Sequence, residues 1–191
     1  MPKWYKGQRH LKLLMKPYDP LQNTKGREFM NTVLFPLFVK RFKDGDKIIN
    51  IGKHWFWDYS FYFNNFQLRC DYQTTDIDPT QKSDIVDDIE NTQLEENSAD
   101  GVIYVGMSDI GVDNDKAIPN CYKILKSGGR FLVSFHAGGE QSLTTNGGFQ
   151  AFLRLLKDFI IDDIYVVYGH PHSEIYVNGN PLSYFAIGRK P

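Results

Sequence analysis

Two periodicities run through this chain. Short runs rich in β-branched residues, bounded by glycine, proline or aspartate, recur at residues 47–51, 67–75, 85–89, 99–105, 130–135, 160–168 and 182–187, and each reads as a strand. Between them the spacing turns helical. Ala117, Ile118, Cys121, Ile124 and Leu125 predict a helix over 113–126 that Pro119 interrupts and Ser127-Gly128-Gly129 stops. Phe149, Phe152, Leu153, Leu155 and Leu156 predict another over 147–158, and residues 59–66 a third. Upstream, Phe29, Val33, Phe35, Leu37, Phe38 and Phe42 line a broad helical face with Lys40, Arg41 and Lys43 near its end, where cations suit the helix dipole; Pro36 kinks or splits it.

Alternating strands and helices with short connections imply an α/β domain whose sheet is covered on both faces. The expected architecture is a Rossmann-like, doubly wound, mainly parallel seven-stranded sheet. An antiparallel edge strand follows from residues 160–168 and 182–187, joined through the turn-rich Asn178-Gly179-Asn180 rather than a helix. Residues 1–23, with Pro2, Pro17 and Pro20 and no clean period, read as an N-terminal arm containing a short helical piece at 8–15. Residues 24–191 read as one domain.

Composition narrows the partners. With 41% hydrophobic residues in a chain of 191, a sizeable core is within reach. A net charge of -1 lacks the basic excess of nucleic-acid binders, so no nucleic-acid partner is expected. No apolar run approaches the roughly 20 residues that span a bilayer, and the start has no signal-peptide core, so a cytoplasmic protein without a membrane partner is expected. Cys70 and Cys121 read as buried free thiols. His170 and His172 have no third ligand nearby, and no metal is expected.

The chemistry concentrates in residues 46–78: a buried strand, a turn with Gly52 as its one glycine, an aromatic stretch, and a second strand ending in Asp76. This order builds the ligand-binding corner of a Rossmann-like sheet. Trp55, Phe56, Trp57, Tyr59, Phe61, Tyr62 and Phe63 read mainly as packing for the first helix. Asp84, Asp87, Glu90, Glu95 and Glu96 read as a solvated acidic face, Asp88 excepted.

Taken in order, the glycine turn, the strand ending in Asp76, DIVDDIE, SADGVIYVGM and CYKILKSGGRFLVSF resemble the class I S-adenosylmethionine-dependent methyltransferases, of the type 11-like kind, over roughly residues 30–191. The resemblance implies S-adenosyl-L-methionine as cofactor. It also implies that Gly52 lets the first turn approach the methionine part, and that Asp76, with Asp78 as the alternative, accepts from the ribose hydroxyls. Asp88 and Ile89 would lie beside the adenine, and Met107 and Ser108 near the sulfonium. The family places further glycines where this chain has His54 and Phe56. Two alternatives therefore stay open: a non-catalytic binding or scaffold protein of the same fold with a filled cofactor site, and a nicotinamide-dependent oxidoreductase.

His136, after the fifth strand, and Asp109, beyond the fourth, are the candidate acid-base groups. The family's Asn-Pro-Pro-Tyr signature for amino methylation is absent, VGMSDIG standing in its place. A hydroxyl on a small molecule or glycan is the acceptor this leaves. The helix at 29–42 is read as covering either the cleft or a neighbouring chain, so a homo-oligomer stays open.

Overall fold

In the computed structural model, which describes residues 11–14, 34–52, 69–107, 111–136, 149–167 and 183–191, a single eight-stranded sheet carries the fold. Its strands are β1 (Leu11–Leu14), β2 (Lys47–Ile51), β3 (Asp71–Asp76), β4 (Ile85–Val86), β5 (Ala99–Tyr104), β6 (Leu125–His136), β7 (Ile160–Val167) and β8 (Ser183–Arg189). They lie in the order β1-β7-β8-β6-β5-β2-β3-β4. Pairing is parallel throughout, except that β8 runs antiparallel to both β6 and β7.

Strands β2 to β8 are the seven-stranded, mainly parallel sheet that the hydrophobic pattern implies. The antiparallel strand sits one place in from β7. The short helix expected at 8–15 is not formed: Leu11–Leu14 is a strand in parallel register with Ile164 to Val167. The outer edge of β7 offers unpaired backbone groups, and a neighbouring strand satisfies them where a lone helical turn would not.

Alternation along the strands sorts side chains into two layers. On one face Ile49, Ile51, Val102, Tyr104, Phe131, Val133 and Phe135 pack under α2 (Asn114–Ile124) and α3 (Phe149–Leu155). On the other, Ile48, Ile103, Leu132, Phe185 and Ile187 pack under α1 (Phe35–Val39) and Phe42. Pro36 lies in the first turn of α1 as described, and the residues before Leu34, with which it was expected to form a kinked or split helix, lie outside the described residues. Pro119 is tolerated inside α2, and both cysteines are buried free thiols. The helix stop comes earlier than Ser127: Leu125 leaves α2 with an extended backbone and pairs with Ala99, and Gly128 turns the chain at φ +76° before Arg130 rejoins β5.

A bulge in β7 alters the expected alternation. Ile161 and Ile164, three apart, face the same layer because the ladder with β8 skips between Ile161 and Asp163. Asp162 is thereby thrown out of register, where Arg41, Arg130 and Arg189 donate to its carboxylate while Arg41 also reaches Asp163. An exposed ion pair contributes about 0.2–1 kcal/mol, whereas a fully buried Phe contributes about 1.5–3 kcal/mol. The apolar layers therefore dominate stability, and the arginines chiefly fix the bulge.

Gly101 in β5 marks a tight packing seam. A Cβ there would meet the Phe42 ring at 2.6 and 2.7 Å and Ile48 Cδ1 at 2.8 Å. Gly101→Ala is expected to destabilise the chain by about 1–3 kcal/mol through overpacking. Phe42→Leu in the same chain should restore part of that loss. Urea unfolding of the single and double variants measures both effects.

Candidate functional site

Parallel strands finish together, and this chain uses that to assemble an edge. Ile51 lies beside Thr75 of β3 and Tyr104 of β5. Gly52, Asp76 and Val105, one residue further on, therefore emerge side by side. The chain also reverses its building direction here, placing β3 and β4 on one side of β2 and then β5 and β6 on the other. In open α/β sheets such a reversal opens a crevice beyond the strand ends, and ligands bind in it.

Gly52 has φ +78°, a conformation that L side chains rarely adopt, and a Cβ there would overlap Met107 Sδ. Met107 is held in place from behind. Gly106, at φ +74°, donates its N–H to the buried Ser134 Oγ at 3.0 Å, tying the segment after β5 to β6. Two strand ends are thus locked to each other at the point where a ligand would approach the Gly52 backbone.

Asp76 ends β3. Its Oδ1 accepts from the Asp78 N–H at 2.9 Å and its carbonyl accepts from the Asp87 N–H at 3.1 Å, so the carboxylate is fixed at the strand end. Asp78, by contrast, serves its own turn. It caps Pro79–Gln81, accepting from the Thr80 hydroxyl at 2.7 Å, the Thr80 N–H at 2.9 Å and Gln81 Nε2 at 3.2 Å. These bonds, the Thr80 hydroxyl foremost, hold its carboxyl below the ordinary range. Asp88 likewise caps the turn Ile89–Asn91, accepting from the Glu90 N–H at 3.0 Å and Asn91 Nδ2 at 2.8 Å. The Ile89 side chain is buried in the layer beneath α2.

The strand expected over 85–89 is correspondingly short, ending at Val86 because Asp87 and Asp88 turn their carboxylates onto local donors. Nor is the acidic stretch merely a solvated face. Asp84 accepts from Thr74 N–H and hydroxyl at 2.8 and 2.7 Å, which returns the loop after Asp76 to the sheet. Ile77 is 67% exposed directly after Asp76. An apolar residue between two turn-forming aspartates, just past a strand end, was the available signal. His136 closes β6, opposite Ser183 of β8, at this same edge.

Ser108, Asp109, His54, Phe56, His170 and His172 lie outside the described residues. Among the described residues no group of three or more His, Cys, Asp or Glu is placed to hold a metal ion. Tyr104 is half of a structural pair: its hydroxyl donates to Asn114 Oδ1 at 2.7 Å, and burial pushes the phenol well above its usual range. A cleft of about 440 Å³ does open in the structure, but beside Asp46, Asp100, Gly128 and Arg130 at the opposite end of the strands. The edge at Gly52 and Asp76 suits a ligand with hydroxyls for a carboxylate, a flat apolar part for Ile77, and a segment needing close backbone approach.

A protein-family model described as a methyltransferase domain matches residues 62–133. Among curated proteins, none matches the chain. Among solved structures, the N-methyltransferase NodS from Bradyrhizobium japonicum is similar at TM-score 0.63 and 15% identity, over 89% of this chain and 99% of that one. A TehB-like S-adenosylmethionine-dependent methyltransferase from Corynebacterium glutamicum is similar at 0.60 and 17% identity, over 91% and 100%. Geranyl diphosphate C-methyltransferase from Streptomyces coelicolor, solved with S-adenosyl-L-homocysteine, is similar at 0.63 and 11% identity, over 84% and 76%. These likenesses show a shared fold. No helix among the described residues is long and apolar enough to cross a membrane.

Gly52→Ala is expected to cost about 1–3 kcal/mol, from the positive φ and from the overlap with Met107. Adding Met107→Ala should relieve the overlap and leave the backbone strain, so the two changes will be non-additive. Thermal unfolding of the four combinations measures the coupling.

Proposed function

We propose that this chain, which belongs to the class I S-adenosylmethionine-dependent methyltransferase superfamily, transfers a methyl group to a hydroxyl oxygen of a small molecule or sugar in the cytoplasm. The observation that carries the site assignment is the pairing of Gly52 with Asp76 at the reversal edge, one needing a left-handed backbone and the other a fixed carboxylate. These residues fit the cofactor. Met107 fills the space a Cβ at position 52 would need, so the turn has to be glycine and brings Met107 beside its backbone, and a carboxylate at a strand end suits the two ribose hydroxyls.

When bound, the cofactor supplies an electrophilic methyl group on a positively charged sulfur. The protein's part is placement and exclusion of water. Asp76 would hold the ribose and Ile77 would offer an apolar platform to the base. Asp88, which follows β4 at the same edge, would offer its carboxylate to the exocyclic amine while keeping its cap, and Asp78 stays with its own turn. Met107, with Ser108 next in the chain, would floor the reacting end. His136 at the end of β6 is the proposed acceptor of the substrate hydroxyl's proton, with Asp109 as the other candidate.

The acceptor reading draws on the residues after β5. VGMSDIG there lacks the Asn-Pro-Pro-Tyr pattern of amino methylation, and the near-neutral charge does not favour nucleic acid. The structural relatives named above include a nitrogen and a carbon methyltransferase, so the fold leaves the acceptor atom to the site.

Calorimetric titration with S-adenosyl-L-homocysteine is the test. Saturable binding is expected, and Asp76→Ala should weaken it about 10- to 100-fold, the worth of hydrogen bonds to a charged group. A folded sample that binds nothing at millimolar ligand overturns the reading. Against a panel of hydroxyl-bearing acceptors, His136→Asn should keep cofactor affinity and lose turnover by about 10²–10⁴-fold.

A further inference from the structure

We infer that Asn120 of α2 is a positioning residue for the base end of the cofactor site, an inference that rests on the cofactor reading above. Its Nδ2 donates to the carbonyls of Ile89 at 2.8 Å and Glu90 at 3.2 Å, the two residues immediately after Asp88. One side chain thus gathers two successive carbonyls of the turn whose cap is Asp88. The turn is only three residues long, and a single 3-10 turn has weak internal bonding to hold it.

Glu90 closes the second side of the clasp. Its Oε1 accepts from the N–H of Asp113, the N-cap of α2, at 2.9 Å. Lys116 lies between the carboxylates, 3.7 Å from Glu90 and 3.2 Å from Asp113. The Ile89 side chain, buried in the same layer as Ala117, Ile118 and Cys121, supplies the apolar part. The turn is therefore fastened to α2 at its carbonyls, its one buried side chain and the cap of the helix.

Local sequence preference argues that these bonds matter. Pro119 and Asn120 are adjacent in the interior of an eleven-residue helix, and both are poor helix formers. A local rule broken in mid-helix marks a tertiary or functional requirement. Here the carboxamide points away from its own helix and onto the turn that carries Asp88. Losing it frees that turn to move, and with it the Asp88 carboxylate, while Gly52 and Asp76 stay anchored by β2, β3 and Met107.

That separation gives the test. Titrate the full chain and its Asn120→Ala variant with S-adenosylhomocysteine and with S-ribosylhomocysteine, which keeps the sugar and amino acid but lacks the base. The variant should lose about tenfold for S-adenosylhomocysteine, the worth of one to two hydrogen bonds, and stay within twofold for S-ribosylhomocysteine. Glu90→Ala, which cuts the second tie, should repeat the pattern. Asn120→Ser, a milder loss of the same donor, stands in where the alanine variant does not fold by circular dichroism. Equal loss for both ligands means a general structural role and overturns the inference, as does unchanged affinity for S-adenosylhomocysteine. A wild-type chain that binds neither ligand instead overturns the cofactor reading itself.

Discussion

Everything at the candidate site depends on β2 being paired in parallel on both sides. With β3 at one flank and β5 at the other, the residues that follow each strand must leave the sheet at the same edge. Gly52, Asp76 and Met107 come from three distant parts of the chain, and no interaction between their side chains is needed to bring them together. Strand register does it. The contact of Met107 with the Gly52 backbone then locks two of the three, and the Ser134 hydroxyl locks Met107's own segment to β6.

Beyond the sheet edge the chain has little regular structure to rely on, and aspartates take over. β4 is two residues long, so the ladder cannot hold the 77–91 segment. Asp78 and Asp88 accept donors from within it, Asp84 accepts from Thr74 of β3, and Asp87 accepts from Thr92 and Gln93 just beyond it. A carboxylate is suited to this because it accepts from several donors at once and draws each to a short distance. The same carboxylates that shape the loop hold it beside Asp76, so loop structure and ligand chemistry draw on one residue type.

The far side of the sheet is organised differently. There the bulge at Asp162 turns β7 by one residue and presents a carboxylate to three arginines from outside β7. These partly buried ion pairs neutralise and hold the carboxylate that the bulge turns out of register. The antiparallel β8 is held between β6 and β7, and β1 extends the sheet past β7. The candidate site lies at one end of β2, while this end is devoted to closure.

How much of this was legible beforehand follows from the range over which each force acts. Hydrophobic alternation is local, so β2 was delimited to the residue, and β5, β7 and α2 to within a few. The parallel α/β class followed from the order of those elements. Gly52 and Asp76 were readable because a left-handed turn and a strand-terminal carboxylate carry local signatures. Leu11–Leu14 was not readable as a strand, since its only reason to extend is the open edge of β7, about 150 positions away in the sequence. Nor could the acidic stretch reveal which carboxylates cap turns and which meet solvent, or that Ile89 turns inward and Ile77 outward. Those outcomes are decided by which donors and which apolar layer the folded chain brings within reach, and only the tertiary structure does that.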